Sequence, residues 1–570
     1  MSLIDWIVLA LTLFAIVAYG LWKSGRNQNI DQFLVGDRSM PWYTVGLSVI
    51  ATQASAITFL SAPGQAYSDG MRFVQFYFGL PLAMIVLCIT FVPMFSRLKV
   101  YTAYEFLENR FDLKTRALTA MLFLIQRGLS TGITIYAPSI ILSTILGINT
   151  VYTTLFIGGL VIFYTVYGGT KAVSYTQLLQ MSIIFLGMFL AGVMVVNLLP
   201  DGVGFTKALH LAGKLGRMNV IDWKFDPANR YNVWSGLIGG FFLQLSYFGT
   251  DQSQVGRYLT GSSIGQSRMG LIMNGLIKIP MQFLILLIGV LVFAFYQFHQ
   301  PPLFFNQYEV KQVKSGQYAG QYNDLEEQYS AAFQQKKITA DELSKALESK
   351  NADQIDKARI NLKNADASEM AIRKSAIDLM KKNNKKADTD DTNYVFLNFV
   401  THFLPKGLIG LLIAIVFLAS MGSTASALNS LASTTVVDIY KRVIKPNASD
   451  KAYLNASRLA TVFWGLVCIV MALYAAKLGN LLEAVNKLGS FIYGTILGVF
   501  VVAFYLKKIK GTAVFIAAII TEIIICIMGF YEVIAYLWLN AIGCFLVIII
   551  AALINPLINE SADDQAKISA

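Results

Sequence analysis

Val49-Ile-Ala-Thr-Gln-Ala-Ser-Ala-Ile-Thr-Phe-Leu-Ser-Ala-Pro-Gly-Gln-Ala-Tyr67 has the length of a membrane helix, but small and polar side chains interrupt it and Pro63-Gly64 follows. In a bilayer a helix breaks only where the freed backbone groups are satisfied by protein, water or a ligand. The stretch therefore predicts a broken helix lining a binding site, closed at Pro63-Gly64. The competing reading makes Ala51, Ala54, Ser55 and Ala56 a surface for close helix packing. A second interrupted span at the matching place in the other half of the chain favours the first reading.

The surrounding sequence supplies the membrane. Of 570 residues, 55% are hydrophobic and 14% charged, and the mean hydropathy is +0.55. That is more apolar surface than a soluble core can hide, so the chain reads as a polytopic membrane protein. The net charge of +12 resides largely in short loops beside apolar spans. It therefore reports orientation rather than nucleic-acid binding. Cys88, Cys468, Cys526 and Cys544 all fall inside apolar runs, which argues against disulfides and cysteine metal sites.

Thirteen hydrophobic runs are long enough to be spans: 3–22, 42–67, 72–96, 116–146, 151–167, 174–199, 232–257, 269–298, 405–440, 455–477, 480–505, 512–530 and 533–554. The first carries Asp5 where a signal peptide has basic residues, with Lys23 and Arg26 after it, so it reads as a retained span with an outer N-terminus. Lys23, Arg26, Arg97, Lys99, Lys114, Lys171, Lys441 and Lys507 then lie inside, as the positive-inside rule requires. The expected setting is a plasma membrane, of the bacterial inner-membrane kind, with a cytoplasmic C-terminus.

Two outer connections are long. Residues 200–231 contain Trp223 and Pro227 and suggest a short surface helix. Residues 299–391 form a soluble insert, with fifteen Lys/Arg balanced by fifteen Asp/Glu between Leu303 and Tyr394. Thr339-Ala-Asp-Glu342 has capping-box spacing, and helical patterns follow near 340–350, 352–363 and 368–382. The insert could serve as a lid, a dock for an outer protein partner, or a solvated decoration.

Span seven supplies the second interruption, Phe241-Phe-Leu-Gln-Leu-Ser-Tyr-Phe-Gly-Thr-Asp-Gln-Ser-Gln-Val-Gly-Arg257. It follows the first by five spans. Two five-span groups, each opening on a broken helix, are the pattern of an inverted-repeat secondary transporter. The expected fold is an all-α membrane protein of about thirteen helices. Its divisions are 1–35, an extra N-terminal span and inner loop; 36–199, the first repeat; 200–231, an outer loop; 232–298 with 392–505, the second repeat, interrupted by the 299–391 insert; and 506–570, two last spans and a tail.

Four stretches resemble the sodium/solute symporters, the family of sodium/glucose cotransporters, proline permease and the multivitamin and monocarboxylate carriers. They are Gly36-Asp-Arg-Ser-Met-Pro-Trp42 with Ser48-Val-Ile-Ala-Thr-Gln-Ala-Ser-Ala56; Tyr167-Gly-Gly-Thr-Lys-Ala-Val173; Asp251-Gln-Ser-Gln-Val-Gly-Arg257; and Ala419-Ser-Met-Gly-Ser-Thr-Ala-Ser-Ala-Leu-Asn429 with Val437-Asp-Ile-Tyr-Lys441. The resemblance implies a sodium ion held by carbonyls of Ala51, Ala54 and Ala419, the Ser423 hydroxyl, and a fifth ligand at Gly422. Here that fifth hydroxyl is missing, leaving Thr424, Ser420 or water to substitute. Independently, Ala419, Gly422, Ser423, Ser426, Ser430, Ser433 and Thr434 recur at helical spacing and form one small, hydroxyl-rich face. Some family members carry an aspartate for a further cation where this chain has Gln177, which implies one sodium per solute.

For the solute, the resemblance points to Gln53, Thr58, Tyr77, Gln244, Tyr247, Lys278 and Asn486. Neutral hydrogen-bonding groups suit a polyol or another polar organic solute. Tyr77 replaces an acidic sugar contact, and Tyr136-Ala-Pro-Ser139 is closer to the vitamin and monocarboxylate branch. Asp251 and Arg257 are expected to pair across the inner end of span seven, and Glu483 with Lys487 along span eleven. Arg127 and Glu522 have no partner legible in the sequence.

The functional expectation is a sodium-coupled symporter importing a sugar or related hydroxylated or anionic solute by alternating access, and no enzyme. The alternatives are a monocarboxylate or vitamin carrier, a proton-coupled carrier of the same fold, and a transporter-like sensor. Sodium, the solute and the lipid bilayer are the expected partners.

Overall fold

A computed structural model describes residues 1–24, 38–98, 100–349, 351–385 and 387–558. Arg26, Gly36, Asp37, Lys99, Lys350 and the tail from 559 lie outside the described residues, as do the side chains of Lys23, Tyr167 and Lys171. Among the described residues the chain is helical throughout, apart from one isolated bridge between Met40 and Gly261.

Helix α1 (Leu3–Ser24) is mostly lipid-exposed, yet Asp5 within it is fully buried. Its Oδ1 accepts the backbone amides of Gly407, at 2.6 Å, and Gly410, at 3.3 Å. These amides open a later transmembrane helix, whose unpaired N-terminal donors and positive dipole end suit a carboxylate.

The opening stretch is two helices, α2 (Trp42–Gln53) and α3 (Ala56–Asp69). The break lies at Ala54-Ser55, within the polar interruption, but Pro63-Gly64 does not close the helix; α3 runs straight through Pro63. Proline is tolerated in a membrane helix when neighbours pack the site. A Cβ on Gly64 would stand 1.9 Å from the Thr392 carbonyl oxygen, and one on Gly289 would stand 2.2 Å from that of Pro63. Pro63-Gly64 is thus a point of close backbone approach.

A 3-10 run (Gly70–Tyr77) leads into α4 (Leu80–Ile89) and α5 (Phe91–Leu98). The short α6 (Glu105–Arg110) precedes α7 (Leu113–Leu146), which Asp112 caps and Gly147 ends. Spans five and six form one helical run, α8 (Thr150–Asn197). The Tyr164 hydroxyl nonetheless lies 2.8 Å from Thr176 Oγ1, twelve residues away. A straight helix would separate them by about 18 Å, so the run doubles back and crosses twice.

In the loop after it, the helix is α9 (Phe205–Lys214), ahead of Trp223 and Pro227 rather than around them. The second broken span is α10 (Gly240–Thr250) and α11 (Gln252–Tyr258), with Asp251 extended between them and capping α11 through Ser253. Helix α12 (Ile264–Phe295) then leads to the insert.

The insert holds α13 (Gln307–Lys314) and a hairpin of α14 (Ala319–Ser349) and α15 (Ala352–Asn383). Thr339 is not a helix start. It sits inside α14 and donates to the Lys336 carbonyl at 2.8 Å, and the expected break between 363 and 368 is absent. Thr-x-x-Glu spacing also arises mid-helix, and here Asn351 is the cap. The hairpin has its own small core around Phe304, Tyr322, Tyr329 and Met380. It also buries Lys336 against Asp366 and Glu369. Its two ends meet: the Phe305 amide donates to Asp391 Oδ2 at 2.6 Å, and Arg373 grips the same carboxylate.

After α16 (Thr392–Phe403) comes α17 (Leu408–Thr434), buried along nearly all its length, which explains its small residues. It continues as a π-helical segment, Thr435–Ile444. There Asp438 accepts from Arg116 Nε at 2.8 Å and from Thr102 Oγ1 at 2.7 Å. The last helices are α18 (Asp450–Tyr474), α19 (Leu481–Tyr505), α20 (Gly511–Phe530) and α21 (Tyr536–Ile554).

Ten helices among the described residues are long and apolar enough to cross a membrane, against thirteen expected spans. The difference has a local cause. Spans two and three share one merged stretch, Ala56–Leu98; span five is the shorter helix Thr150–Val166; and span seven is divided into two short pieces at Asp251.

Candidate functional site

The first break releases carbonyls. The Ser55 amide donates to Gln53 at 3.1 Å and the Thr58 amide to Ser55 at 2.9 Å. Ala51 and Ala54 therefore lose the donors that a continuous helix would give them. On α17, which packs beside this helix, the Ser423 hydroxyl donates to the Ala419 carbonyl at 2.8 Å. Two of the expected oxygens are thus adjacent. Thr52 on α2 lies 3.1 Å from Ser426 Oγ on α17, which fixes the break against the hydroxyl face. Neutral carbonyl and hydroxyl oxygens at a helix break are the donor set of a hard monovalent cation. Among the described residues no group of three His, Cys, Asp or Glu side chains could hold a metal.

Gly422 faces α8. A Cβ there would stand 2.5 Å from Gln180 Oε1 and 3.3 Å from Gln177 Cγ on α8. Glycine lets α8 approach, and a serine in its place would point toward Gln180. The Gly422 carbonyl accepts from Gln177 Nε2 at 3.1 Å. Of the substitutes considered, Ser420 donates instead to Thr134 at 3.0 Å, whereas Thr424 is fully buried with an unpartnered Oγ1.

Gln177 organises the neighbouring oxygens. Its amide nitrogen also meets Thr52 Oγ1 at 3.2 Å and Ser426 Oγ at 3.1 Å, and its Oε1 accepts from Ser48 at 2.6 Å. An amide N–H₂ thereby occupies the centre of an oxygen cluster.

Beside the break lies a cavity of about 80 Å³ lined by Gln53, Thr58, Tyr77, Tyr247 and Asn486. Five of the seven expected solute residues are therefore together. Gln244 stands behind Gln53, accepting its amide at 3.2 Å. Lys278 does not line the cavity. It is fully buried, and its Nζ lies 5.6 Å from the Tyr77 ring centre with no hydrogen-bond partner.

Sequence reasoning missed Arg127. It lines the same cavity as Gln126 and Tyr493 do, and its Nη1 lies 3.7 Å from Asp251 Oδ2. Asp251 also accepts the Tyr493 hydroxyl at 2.8 Å. The expected Asp251–Arg257 pair is therefore absent; Arg257 is buried with Nε and Nη1 unpartnered. Likewise Glu483 pairs with Arg230 and Lys487 with Glu532, not with each other. A lone arginine in an apolar span was the available signal.

The model of the sodium:solute symporter family matches residues 33–310 and 374–521, omitting most of the insert. The sodium-dependent multivitamin transporter of Oryctolagus cuniculus is 27% identical over 506 residues, 88% of this chain and 66% of that one. The sodium/glucose cotransporter of Vibrio parahaemolyticus is 26% identical over 533 residues, covering 91% and 84%. The human sodium/iodide cotransporter is 33% identical over 300 residues, covering 51% of this chain and 45% of that one. The chain thus spans less than two thirds of two of these three relatives. A Na⁺-coupled sialic acid symporter, solved substrate-bound and outward-open, has a similar fold, with TM-score 0.74, 21% identity and 98% of each chain covered. With its broken-helix core and a match over most of its length, this multi-pass membrane protein belongs to the sodium:solute symporter family.

Proposed function

We propose that the protein is a sodium-coupled symporter importing a small polar organic solute that bears a carboxylate, with one sodium per solute. The observation that carries the solute class is Arg127. Its guanidinium is permanently charged and lines the solute cavity, and its buried Nε has no acceptor. An unmet buried donor costs about 1–3 kcal/mol, and a planar carboxylate meets it in two-pronged geometry. Thr58, Gln53 and Asn486 are then placed for hydroxyl or amide groups on the same solute. The relatives support this breadth, since they are named for vitamins, glucose and monocarboxylates, and the structural neighbour for sialic acid.

Sodium is carried with the solute. The Ala51, Ala54 and Ala419 carbonyls and Ser423 are the proposed ligands, and Gln53, between Ala51 and Ala54 in the chain, reaches the solute cavity. Ion and solute therefore share one hinge, and each raises the affinity of the other by the same factor. Asp251 makes the second hinge and reaches the same cavity through Arg127. Gln177 supplies amide donors where a further cation would need oxygens alone, which supports a single sodium.

Uptake into proteoliposomes tests the reading, with labelled carboxylates and neutral sugars supplied with and without a sodium gradient. The expected result is sodium-dependent uptake of an acid. Uptake of neutral sugars alone would reduce Arg127 to a structural ion pair. Accumulation driven by a proton gradient without sodium would identify a proton-coupled carrier, and binding without flux a sensor.

A further inference from the structure

A second cavity, of about 190 Å³, opens where the base of the insert meets α7 and α8, away from the solute cavity. Glu309, at the start of the insert, and Asp388, at its end, both line it. The Asp388 amide donates to Glu309 Oε1 at 3.1 Å, so the two carboxylates belong to one joined wall. Burial pushes Asp388 up to about 7, and the neighbouring Asp390, Glu309 and Asp391 carboxylates add to the shift. Burial also raises Glu309.

The remaining lining includes neutral oxygens of Tyr136, Ser143, Thr154 and Tyr394. Tyr136 and Tyr394 hydrogen-bond each other. Thr154 provides an independent sign: it is fully buried, and its hydroxyl has no partner. Two basic groups stand on the adjoining elements. Arg373 is engaged with Asp391, and Lys311 Nζ stands beside Gly147, 3.9 Å from the position a Cβ would take there. Among the described residues no lysine or arginine lines the cavity.

Two crowded carboxylates with hydroxyl oxygens, and no His or Cys among the lining residues, form the donor set of a hard oxygen-seeking cation. We infer that this cavity is a low-affinity site for a hard divalent cation such as Ca²⁺, binding between the two roots of the insert and the ends of α7 and α8. With two carboxylates, water completes the coordination, and the affinity falls in the range of weak extracellular calcium modules, about 0.1–1 mM. The cation relieves the repulsion between Glu309 and Asp388. Binding therefore favours the closed seam between insert and spans, and any state that opens the seam binds the cation more weakly.

The test uses the full-length detergent-purified protein and CaCl₂ as the probe, with sodium fixed and ionic strength matched by choline chloride. At about pH 8, Ca²⁺ is expected to raise Tm saturably with a midpoint of about 0.1–1 mM. Glu309→Gln and Asp388→Asn should each weaken the Ca²⁺ response at least about tenfold while leaving the sodium-induced shift unchanged, the latter showing that the variants fold. Thr154→Val, a milder change, should weaken it a few-fold. No saturable response in the parent protein overturns the proposal, as does an undiminished response in the Glu309→Gln/Asp388→Asn double variant.

Discussion

Arg127 Nη1 lies 3.7 Å from Asp251 Oδ2, and Asp251 is the residue at which the second broken helix changes direction. The arginine that lines the proposed solute cavity is therefore tied to the break in that helix. Its loss should affect both recognition and movement.

Arg127→Gln keeps a hydrogen-bonding side chain of reduced reach and removes the charge. A hydrogen bond to a charged group contributes about 1.5–3 kcal/mol, so carboxylate affinity should fall about 10- to 100-fold. Competition binding in saturating sodium measures this. Unchanged affinity would remove Arg127 from the solute site.

Ser423→Ala deletes a hydroxyl from the proposed cation site without adding volume. The sodium concentration for half-maximal uptake should rise at least about tenfold, with little change in Tm without sodium. An unaltered sodium dependence means that the ion binds elsewhere.

Gln177 offers a two-way test. Gln177→Leu removes the acceptor of the Ser48 hydroxyl and the amide donor shared by Thr52, Ser426 and the Gly422 carbonyl, at a cost of about 1–3 kcal/mol, read as a lowered Tm. Gln177→Asp replaces the amide donors with an anion and should move the sodium Hill coefficient from one toward two. A coefficient of two in the parent protein would refute single-ion coupling.

Asp388 gives stability a pH dependence. With its folded pKa raised to about 7, above the unfolded carboxylate value, the folded state binds more protons in the intervening window. Its contribution is present below the unfolded value and is lost as pH rises through about 7. Asp388→Asn should flatten the Tm profile across that window in calcium-free buffer and leave the variant the more stable at about pH 8. A parallel profile in the variant would show that Asp388 does not titrate there.

Much of the fold was readable because a bilayer imposes length and apolarity on every crossing, and a polar interruption such as Gln53-Ala-Ser55 stands out against that rule. The break falls at that interruption, whereas the closure expected at Pro63-Gly64 is absent. Pro63 is the stronger helix breaker in isolation, but close backbone packing against Gly289 and Thr392 accommodates it. Charge pairing misled for a related reason. Glu483 and Lys487 are neighbours along a helix, yet each finds a tertiary partner, Arg230 and Glu532, that spacing cannot disclose. Gln53, Thr58 and Asn486, which line the proposed solute cavity, were named through family resemblance. Arg127 was not, because its meaning depends on Asp251, far away in the chain.

The hydrogen bond from Phe305 to Asp391 also bears on how such a chain came to exist. An insertion whose ends emerge side by side can enter a transporter without stretching the spans on either side. The family match resumes at residue 374 after stopping at 310, as expected of a graft. The α14–α15 hairpin, with α14 alone 31 residues and about 46 Å long, should be replaceable by a short turn, or by a different cargo, in an otherwise working symporter.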